Sequence, residues 1–126
     1  MALDDTFKTL RAVLKPHARK LLVQVDKPGN YQLASRTMKD RVGRPLFVAA
    51  VQTKKNYVSF HLMPVYSAPE LLESISPGLR KRMQGKSCFN FKTIEREQVN
   101  ELSALTKTGI KALERVTLPW AQTSAD

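Results

Sequence analysis

The sequence has a single cysteine and no long apolar run, and these two shortages exclude several classes of protein. Cys88 has no second cysteine with which to form an internal disulfide, so the chain is not a disulfide-stabilised secreted domain. The longest unbroken apolar run, 46–51, has six residues, whereas a membrane-spanning helix requires roughly 20. The first ten residues carry two acids and no apolar signal core, so no secretory signal is expected. We therefore expect a cytoplasmic protein with no membrane association.

Metal-binding and phosphate-binding motifs are also scarce. The chain has no C-x-x-C and no H-x-x-x-H pair, and His61 with Cys88 supplies only two of the four ligands that structural zinc requires. The five glycines are scattered along the chain, so they form no glycine-rich phosphate loop. The sequence accordingly predicts neither a metal site nor a cofactor.

Acidic residues are few over most of the chain. Residues 6–69 contain twelve Lys or Arg against two acids, residues 74–94 contain five against none, and the formal net charge is +10. Such a surface attracts anions and nucleic acid without sequence preference. No recognised nucleic-acid motif accompanies the charge, which also fits a simply solvated surface.

Hydrophobic periodicity predicts a helix at each end of the chain with strands between them. Helices are predicted at 4–15 and from Thr93, as N-cap, to about residue 116. Alternating apolar residues predict strands at 20–25, 31–35, 46–53, 57–63 and 88–91. The segment 36–44 is predicted to be a basic connection, and two short helices, the second closed by Gly85, separate the last two strands.

This order of elements predicts the α+β class. We expect a two-layer sandwich in which a mostly antiparallel five-stranded sheet carries the N-terminal and C-terminal helices on one face. Residues 1–118 are predicted to form a single domain, followed by a tail at 119–126 from which Trp120 packs back. The other face of the sheet would be open to solvent or to a partner.

One long segment carries a family resemblance. NYVSFHLMPVY, followed by PELL and then by SPGLRKRMQGKSCFNFK, resembles the YdhG-like domain family, with the similarity covering about residues 5–115. The resemblance implies an α+β sandwich related in layout to frataxin-like folds. Most members have no assigned activity, and some relatives are described as iron chaperones with acidic contacts. This sequence departs from that pattern because residues 6–69 hold only two acids. The resemblance supplies no catalytic residues.

The fourth and fifth predicted strands supply candidate ligand-binding residues. Side chains alternate along a strand, so Val58, Phe60 and Leu62 share one face, which is predicted to be core together with Phe89 and Phe91. The opposite faces carry polar side chains. If the two strands are near neighbours, these side chains line a groove on the open face: Ser59, His61, Cys88 and Asn90.

A basic run beside this face is the candidate anion site. Cations clustered on a short helix and loop suit phosphate, although the same run also fits a solvated helix face. The residues of this site are Arg80, Lys81, Arg82 and Lys86, with Lys54 and Lys55 added from a hairpin tip. A Cys88–His61 nucleophile pair oriented by Asn90 would require hydrogen-bond contact, and a strand cysteine between phenylalanines is more typical of inert packing.

The leading functional hypothesis is a small basic binding module rather than an enzyme. It would take an anionic small molecule or a protein partner on the open sheet face, as a monomer or as a homodimer formed through that face. One alternative is non-specific nucleic-acid binding through the basic surface. The other, implied by the resemblance, is a chaperone for iron or another metal.

Overall fold

The computed structural model describes residues 2–114 apart from the side chains of Ala2 and Ser67. A long helix lies at each end of this range, and the strands lie between the two helices in the sequence. The helices are α1 (Ala2–Leu14), a 3₁₀ helix (Lys15–Arg19), α2 (Met63–Ser67), a second 3₁₀ helix (Pro69–Ser74), α3 (Pro77–Arg80) and α4 (Arg96–Leu113). The strands are β1 (Leu22–Lys27), β2 (Asn30–Lys39), β3 (Pro45–Thr53), β4 (Val58–Leu62), β5 (Met83–Gln84) and β6 (Cys88–Phe91). The predicted tail at 119–126 and the packing of Trp120 lie outside the described residues.

The six strands formed by residues 2–114 join one antiparallel sheet. The spatial order is β1-β2-β3-β4-β6-β5, and every neighbouring pair is antiparallel. The prediction gave five strands, and the additional one is the two-residue strand β5, which pairs with β6 at the sheet edge. Strand β4 is therefore flanked on both sides, by β3 and by β6.

Both long helices pack on one face of this sheet, which confirms the predicted α+β sandwich. Helix α1 contacts β3, β4 and α4. The core between the layers includes fully buried side chains from both: Leu10, Leu102, Val58, Phe60, Leu62, Phe89 and Phe91. Burying each of these side chains stabilises the fold by roughly 1.5–3 kcal/mol relative to exposure. None of the helices formed by residues 2–114 has the length and apolar character needed to cross a bilayer.

The segment predicted as a basic connection from Arg36 to Arg44 is in part a strand. Strand β2 continues to Lys39, and it is irregular because the Ser35 hydroxyl accepts hydrogen bonds from the backbone N–H groups of Thr37 and Met38. The irregularity breaks the alternation of side chains on which the sequence prediction depended. The actual turn is short, and Asp40 closes it by accepting from two backbone N–H groups across it.

Gly85 does not end a helix. Helix α3 begins after Ser76, whose hydroxyl accepts the N–H of Leu79, and it ends at Arg80. Gly85 lies instead in the turn between β5 and β6 with a φ of +79°. Helix ends and tight hairpins both use the left-handed region that glycine enters freely, so the residue alone does not distinguish them.

Two further boundaries differ from the prediction. Helix α4 is capped by Glu95 rather than Thr93, since the side chains of Glu95 and Gln98 each accept the other's backbone N–H. Strand β4 ends at Leu62, and Met63, predicted to be in the strand, begins α2 with Pro64 in its first turn.

Candidate functional site

The face of the sheet opposite the helices carries a patch of polar side chains. The register pairs Ser59 with Asn90 and His61 with Cys88 on the adjacent strands β4 and β6. These four residues are half-buried, whereas Val58, Phe60 and Phe89, which alternate with them, are fully buried on the helical side. The structure thus brings together the four residues that alternation assigned to one face.

Strands β2 and β3 extend this patch with a row of amides. Gln52 lies opposite Ser59 and also opposite Asn30, and the Asn30 side-chain oxygen accepts from the amides of Gln32 and Gln52. We call the combined surface the polar sheet face; it consists of Asn30, Gln32, Gln52, Ser59, His61, Cys88 and Asn90. Sequence reasoning missed Asn30, Gln32 and Gln52, because these three amides join the face only once the register of β2, β3 and β4 is known. The alternation of Asn30 and Gln32 with Tyr31 and Leu33 was the available signal.

His61 is held in place from two directions. Its Nε2 lies 2.8 Å from the Ser87 hydroxyl, and the Phe47 ring meets the imidazole edge-on with centroids 4.9 Å apart. Burial lowers the pKa of His61 below its usual value, which favours the neutral imidazole. Ser87 and Phe47 are further contributors that the sequence analysis did not identify.

The Cys88 thiol is not activated. Burial raises its pKa, and the opposing effects of a hydrogen bond with Ser59 and of the Lys54 charge are smaller. A protonated thiol is a poor nucleophile, and the nearest hydrogen-bond partner of His61 is Ser87 rather than Cys88. The arrangement therefore suits hydrogen bonding to a ligand better than nucleophilic attack.

A depression of about 270 Å³ lies in the middle of the polar sheet face. We call it the histidine depression; its lining includes Gln32, Phe47, Gln52, Lys54, His61 and Cys88. Lys54 is the one cation among the residues that line it, and the lysine Nζ donates to the Gln52 side-chain oxygen at 2.9 Å. The depression thus offers a positive charge beside a neutral imidazole and uncharged hydrogen-bonding groups.

The structure divides the predicted basic run. Lys81 and Arg82 line a second depression of about 280 Å³ at the β5 edge, together with Tyr57, Asn90 and Lys92. We call this the edge depression.

The remaining predicted cations lie elsewhere. The Arg80 guanidinium donates to the carbonyl of Leu72, and the Lys86 ammonium lies 5.7 Å from the centre of the Tyr66 ring. Lys55 is exposed in the turn between β3 and β4, beside Lys54. The predicted anion site is therefore not a single cluster, since Lys54 and the pair Lys81–Arg82 border separate depressions.

The described residues hold no metal-binding group of three or more His, Cys, Asp or Glu side chains. His61 and Cys88 are cross-strand partners, so they are close, but they supply only two candidate ligands. Their neighbours on the polar sheet face are amides and a hydroxyl. The face therefore offers no carboxylate to complete a site of the kind that non-heme iron uses, in which two imidazoles and one carboxylate bind the metal.

Comparisons with known proteins do not extend these observations. No family model, no curated protein and no solved structure matches the chain significantly.

Proposed function

We propose that this protein is a small basic binding module that takes an anionic small molecule in the histidine depression. The observation that carries the proposal is the placement of Lys54 beside His61, Cys88 and the amides of the polar sheet face. A neutral imidazole and amide groups hydrogen-bond a ligand without adding charge, so Lys54 selects for an anion.

The size of the depression restricts the ligand. Drug-sized ligands occupy pockets of about 300–1,000 Å³, and the histidine depression, at about 270 Å³, is just below that range. We therefore favour a compact carboxylate or phosphate compound over a nucleotide-sized one. An acidic side chain presented by a protein partner has the same chemistry but would also require a wider contact around the depression.

Nuclear magnetic resonance titration of the full chain tests this proposal. Succinate, citrate and inorganic phosphate are the probes, and the backbone resonances of Ser59, His61 and Cys88 are the readout. We expect saturable shifts there with at least one probe in the millimolar range. Shifts confined to residues remote from the sheet face, or no saturable shift with any of the three, would overturn the proposal.

The adjacent lysines 54 and 55 provide a matched pair of variants. Lys54→Gln should weaken binding of the active probe about tenfold, as expected for loss of one charge-assisted hydrogen bond of about 1.4 kcal/mol. Lys55→Gln removes the same charge from the same turn but leaves the lining of the depression intact, so it should change affinity much less. Equal effects of the two variants would indicate general electrostatic attraction instead of a site.

Non-specific nucleic-acid binding is the second candidate function, and the edge depression favours it. Its lining holds Lys81, Arg82 and Lys92 together with Tyr57, and so combines phosphate-binding cations with an aromatic ring on which a base can stack. Fluorescence anisotropy with short single-stranded oligonucleotides tests this candidate. We expect binding at low salt that does not depend on sequence.

Membership of the YdhG-like family stays a hypothesis supported by the segment around SPGLRKRMQGKSCFNF. A role in iron handling, which that resemblance implies, has no cluster of ligands among residues 2–114 to support it. Calorimetric titration with ferrous iron tests it directly, since a metal chaperone would give saturable heat.

A further inference from the structure

A larger concavity lies in the helical layer, where the first 3₁₀ helix meets the second half of α4. Its volume is about 500 Å³, which is within the range of small-molecule sites. We call it the helix cleft. It is formed on one side by Pro16, His17, Arg19 and Lys20, and on the other by residues of α4 from Lys107 onward.

Positive charge dominates the lining of the helix cleft. Arg19, Lys20, Lys107 and Lys111 are four cations, whereas Glu114 is the single acid. All four cations are exposed, and within the described chain none of them belongs to an ion pair. Four like charges around one concavity repel one another, and a bound anion would relieve that repulsion.

Two of these four charges act on the imidazole of His17. The pKa of its imidazole is lowered by burial first, and then by the positive charges of Lys107 and Lys20. The two lysines come from different elements, one from α4 and one from the end of the 3₁₀ helix, and both act on the same half-buried ring. Among the described residues that line the cleft, the remaining charged groups are Arg19, Lys111 and Glu114.

An apolar surface adjoins the charges. Ile110, which is nearly buried, and Pro16 contribute hydrocarbon to the cleft between the two basic sides. A bare inorganic ion would leave this surface unused, whereas a compound with an organic part would cover it.

We propose that the helix cleft is a second binding site, which takes the phosphate group of a small ligand between Lys20 and Lys107. Phosphate fits better than a carboxylate because it carries nearly two negative charges at neutral pH and so interacts more strongly with the four surrounding cations. The organic part of a phosphate monoester lies against Ile110 and Pro16. The volume of the cleft admits a mononucleotide, unlike the histidine depression on the sheet.

The two histidines of the chain make the test selective, because each reports one site. His17 borders the helix cleft and His61 lines the histidine depression. The pKa of each ring is measured by proton resonance in the full chain, alone and with inorganic phosphate, adenosine monophosphate or adenosine, after assignment with His17→Gln and His61→Gln. An unchanged pKa at one histidine therefore argues only against the site beside that histidine.

We expect saturating phosphate or adenosine monophosphate to raise the pKa of His17, because a bound anion favours the charged imidazole. The histidine depression has one cation in place of four, so the pKa of His61 should rise only at higher concentrations of a phosphate compound that also binds there. Tighter binding of adenosine monophosphate than of phosphate assigns the site to a phosphate monoester, and equal binding assigns it to the free ion. Adenosine should leave His17 unchanged.

Charge variants complete the test. Lys107→Gln and Lys20→Gln should each weaken phosphate binding about tenfold. The affinity is measured from the phosphate concentration at which the His17 pKa is half shifted. Lys15→Gln removes a charge from the same 3₁₀ helix at an exposed position outside the cleft lining, and it should have little effect. No rise of the His17 pKa with either phosphate compound at millimolar concentration overturns the proposal, and so does a response to adenosine equal to that to adenosine monophosphate.

Discussion

At the scale of single residues, Gly109 lies where α4 packs closely against the start of α2. A Cβ at this position would lie 3.2 Å from the Cβ of Pro64, which is tighter than ordinary van der Waals contact. Both residues are buried, and the proline ring is stiff. Glycine is otherwise unfavourable inside a helix by about 1 kcal/mol relative to alanine, so packing explains its presence here.

We therefore predict that stability tolerates alanine at position 109 but not valine. In Gly109→Ala the gain in helix propensity and the close contact nearly cancel, so the free energy of unfolding should change by less than about 1 kcal/mol. Gly109→Val adds volume that Pro64 blocks and should lower it by about 2–3 kcal/mol. Urea denaturation measures both. Gly78→Ala is the control, because a Cβ there meets only the Ser76 hydroxyl at 3.9 Å. Equal tolerance of alanine and valine at 109 would contradict the close approach.

The two histidines predict how stability depends on pH. Burial lowers the pKa of both His17 and His61 below the usual value of 6.5. The unfolded chain therefore binds protons at a higher pH than the folded chain does. This stabilisation is complete well above the unfolded-state value of about 6.5 and is lost as the pH falls through that value toward the folded-state values, because protons then favour the unfolded state.

We expect the free energy of unfolding to decrease between about pH 7.5 and about pH 5.5, where most carboxylates remain ionised. The variant His61→Gln should show a smaller decrease because it removes one of the two titrating groups, and His17→Gln should do the same. The comparison is between slopes, so a loss of stability common to all pH values does not affect it. A variant slope equal to that of the unchanged protein would contradict the assignment.

At the scale of elements, a single carboxylate joins α4 to α3. Glu101 of α4 accepts hydrogen bonds from the backbone N–H and the hydroxyl of Ser76, at 2.8 Å and 2.5 Å. The same hydroxyl accepts the N–H of Leu79 and so begins α3. Helix α3 has only four residues and cannot be stable alone, so this contact is important for its position.

Replacing Glu101 should therefore release α3. We predict that Glu101→Ala lowers the free energy of unfolding by about 1–3 kcal/mol, the cost of leaving charged and backbone hydrogen bonds unmade. Glu97→Ala removes an exposed carboxylate from the first turn of the same helix and serves as the control. Amide hydrogen exchange should show faster exchange at Leu79 and Arg80 in Glu101→Ala. Unchanged exchange there would mean that core packing of Leu79 alone holds the helix.

These elements also show what can be predicted from sequence. Alternation identified β4 and β6 because their inward residues, such as Phe60 and Phe89, are strictly apolar and the outward ones polar. It missed β5, since two residues are too few to show a period. It also ended β2 too early, because hydrogen bonds to Ser35 distort the strand locally.

The candidate site was predictable to the same extent. Ser59, His61, Cys88 and Asn90 follow from period two once β4 and β6 are assumed to be neighbours. Gln52 and Ser87 do not follow, because their places depend on cross-strand register and on a turn. The helix cleft could not be predicted from the sequence, because it depends on how α4 packs against the 3₁₀ helix some 90 residues earlier in the chain.

At the scale of the whole molecule, the net charge of +10 is distributed over more than one surface. Lys81, Arg82 and Lys92 lie at the β5 edge, and a second set surrounds the helix cleft. At physiological salt, exposed charges more than about 8 Å apart are largely screened from each other. Each cluster should therefore attract a short anion separately, while a long polyanion would experience their combined attraction.

Salt dependence distinguishes a defined nucleic-acid path from diffuse attraction. For single-stranded DNA the logarithm of the binding constant falls with the logarithm of salt concentration with a slope of about −0.7 for each neutralised phosphate. If the strand crosses the edge depression, Lys81→Gln combined with Arg82→Gln should reduce the magnitude of the slope by about 1.4. Fluorescence anisotropy of a short oligothymidylate over a series of salt concentrations measures it.

The control is a second double variant that removes two positive charges away from the edge depression. Lys8→Gln combined with Lys27→Gln alters two exposed lysines that line neither depression nor cleft. A defined path requires that this control leave the slope unchanged. Equal reductions in both double variants would mean that the strand samples the whole basic surface. In that case the net charge of the molecule attracts nucleic acid, but the edge depression does not position the strand. The result would also contradict the proposed stacking of a base on Tyr57.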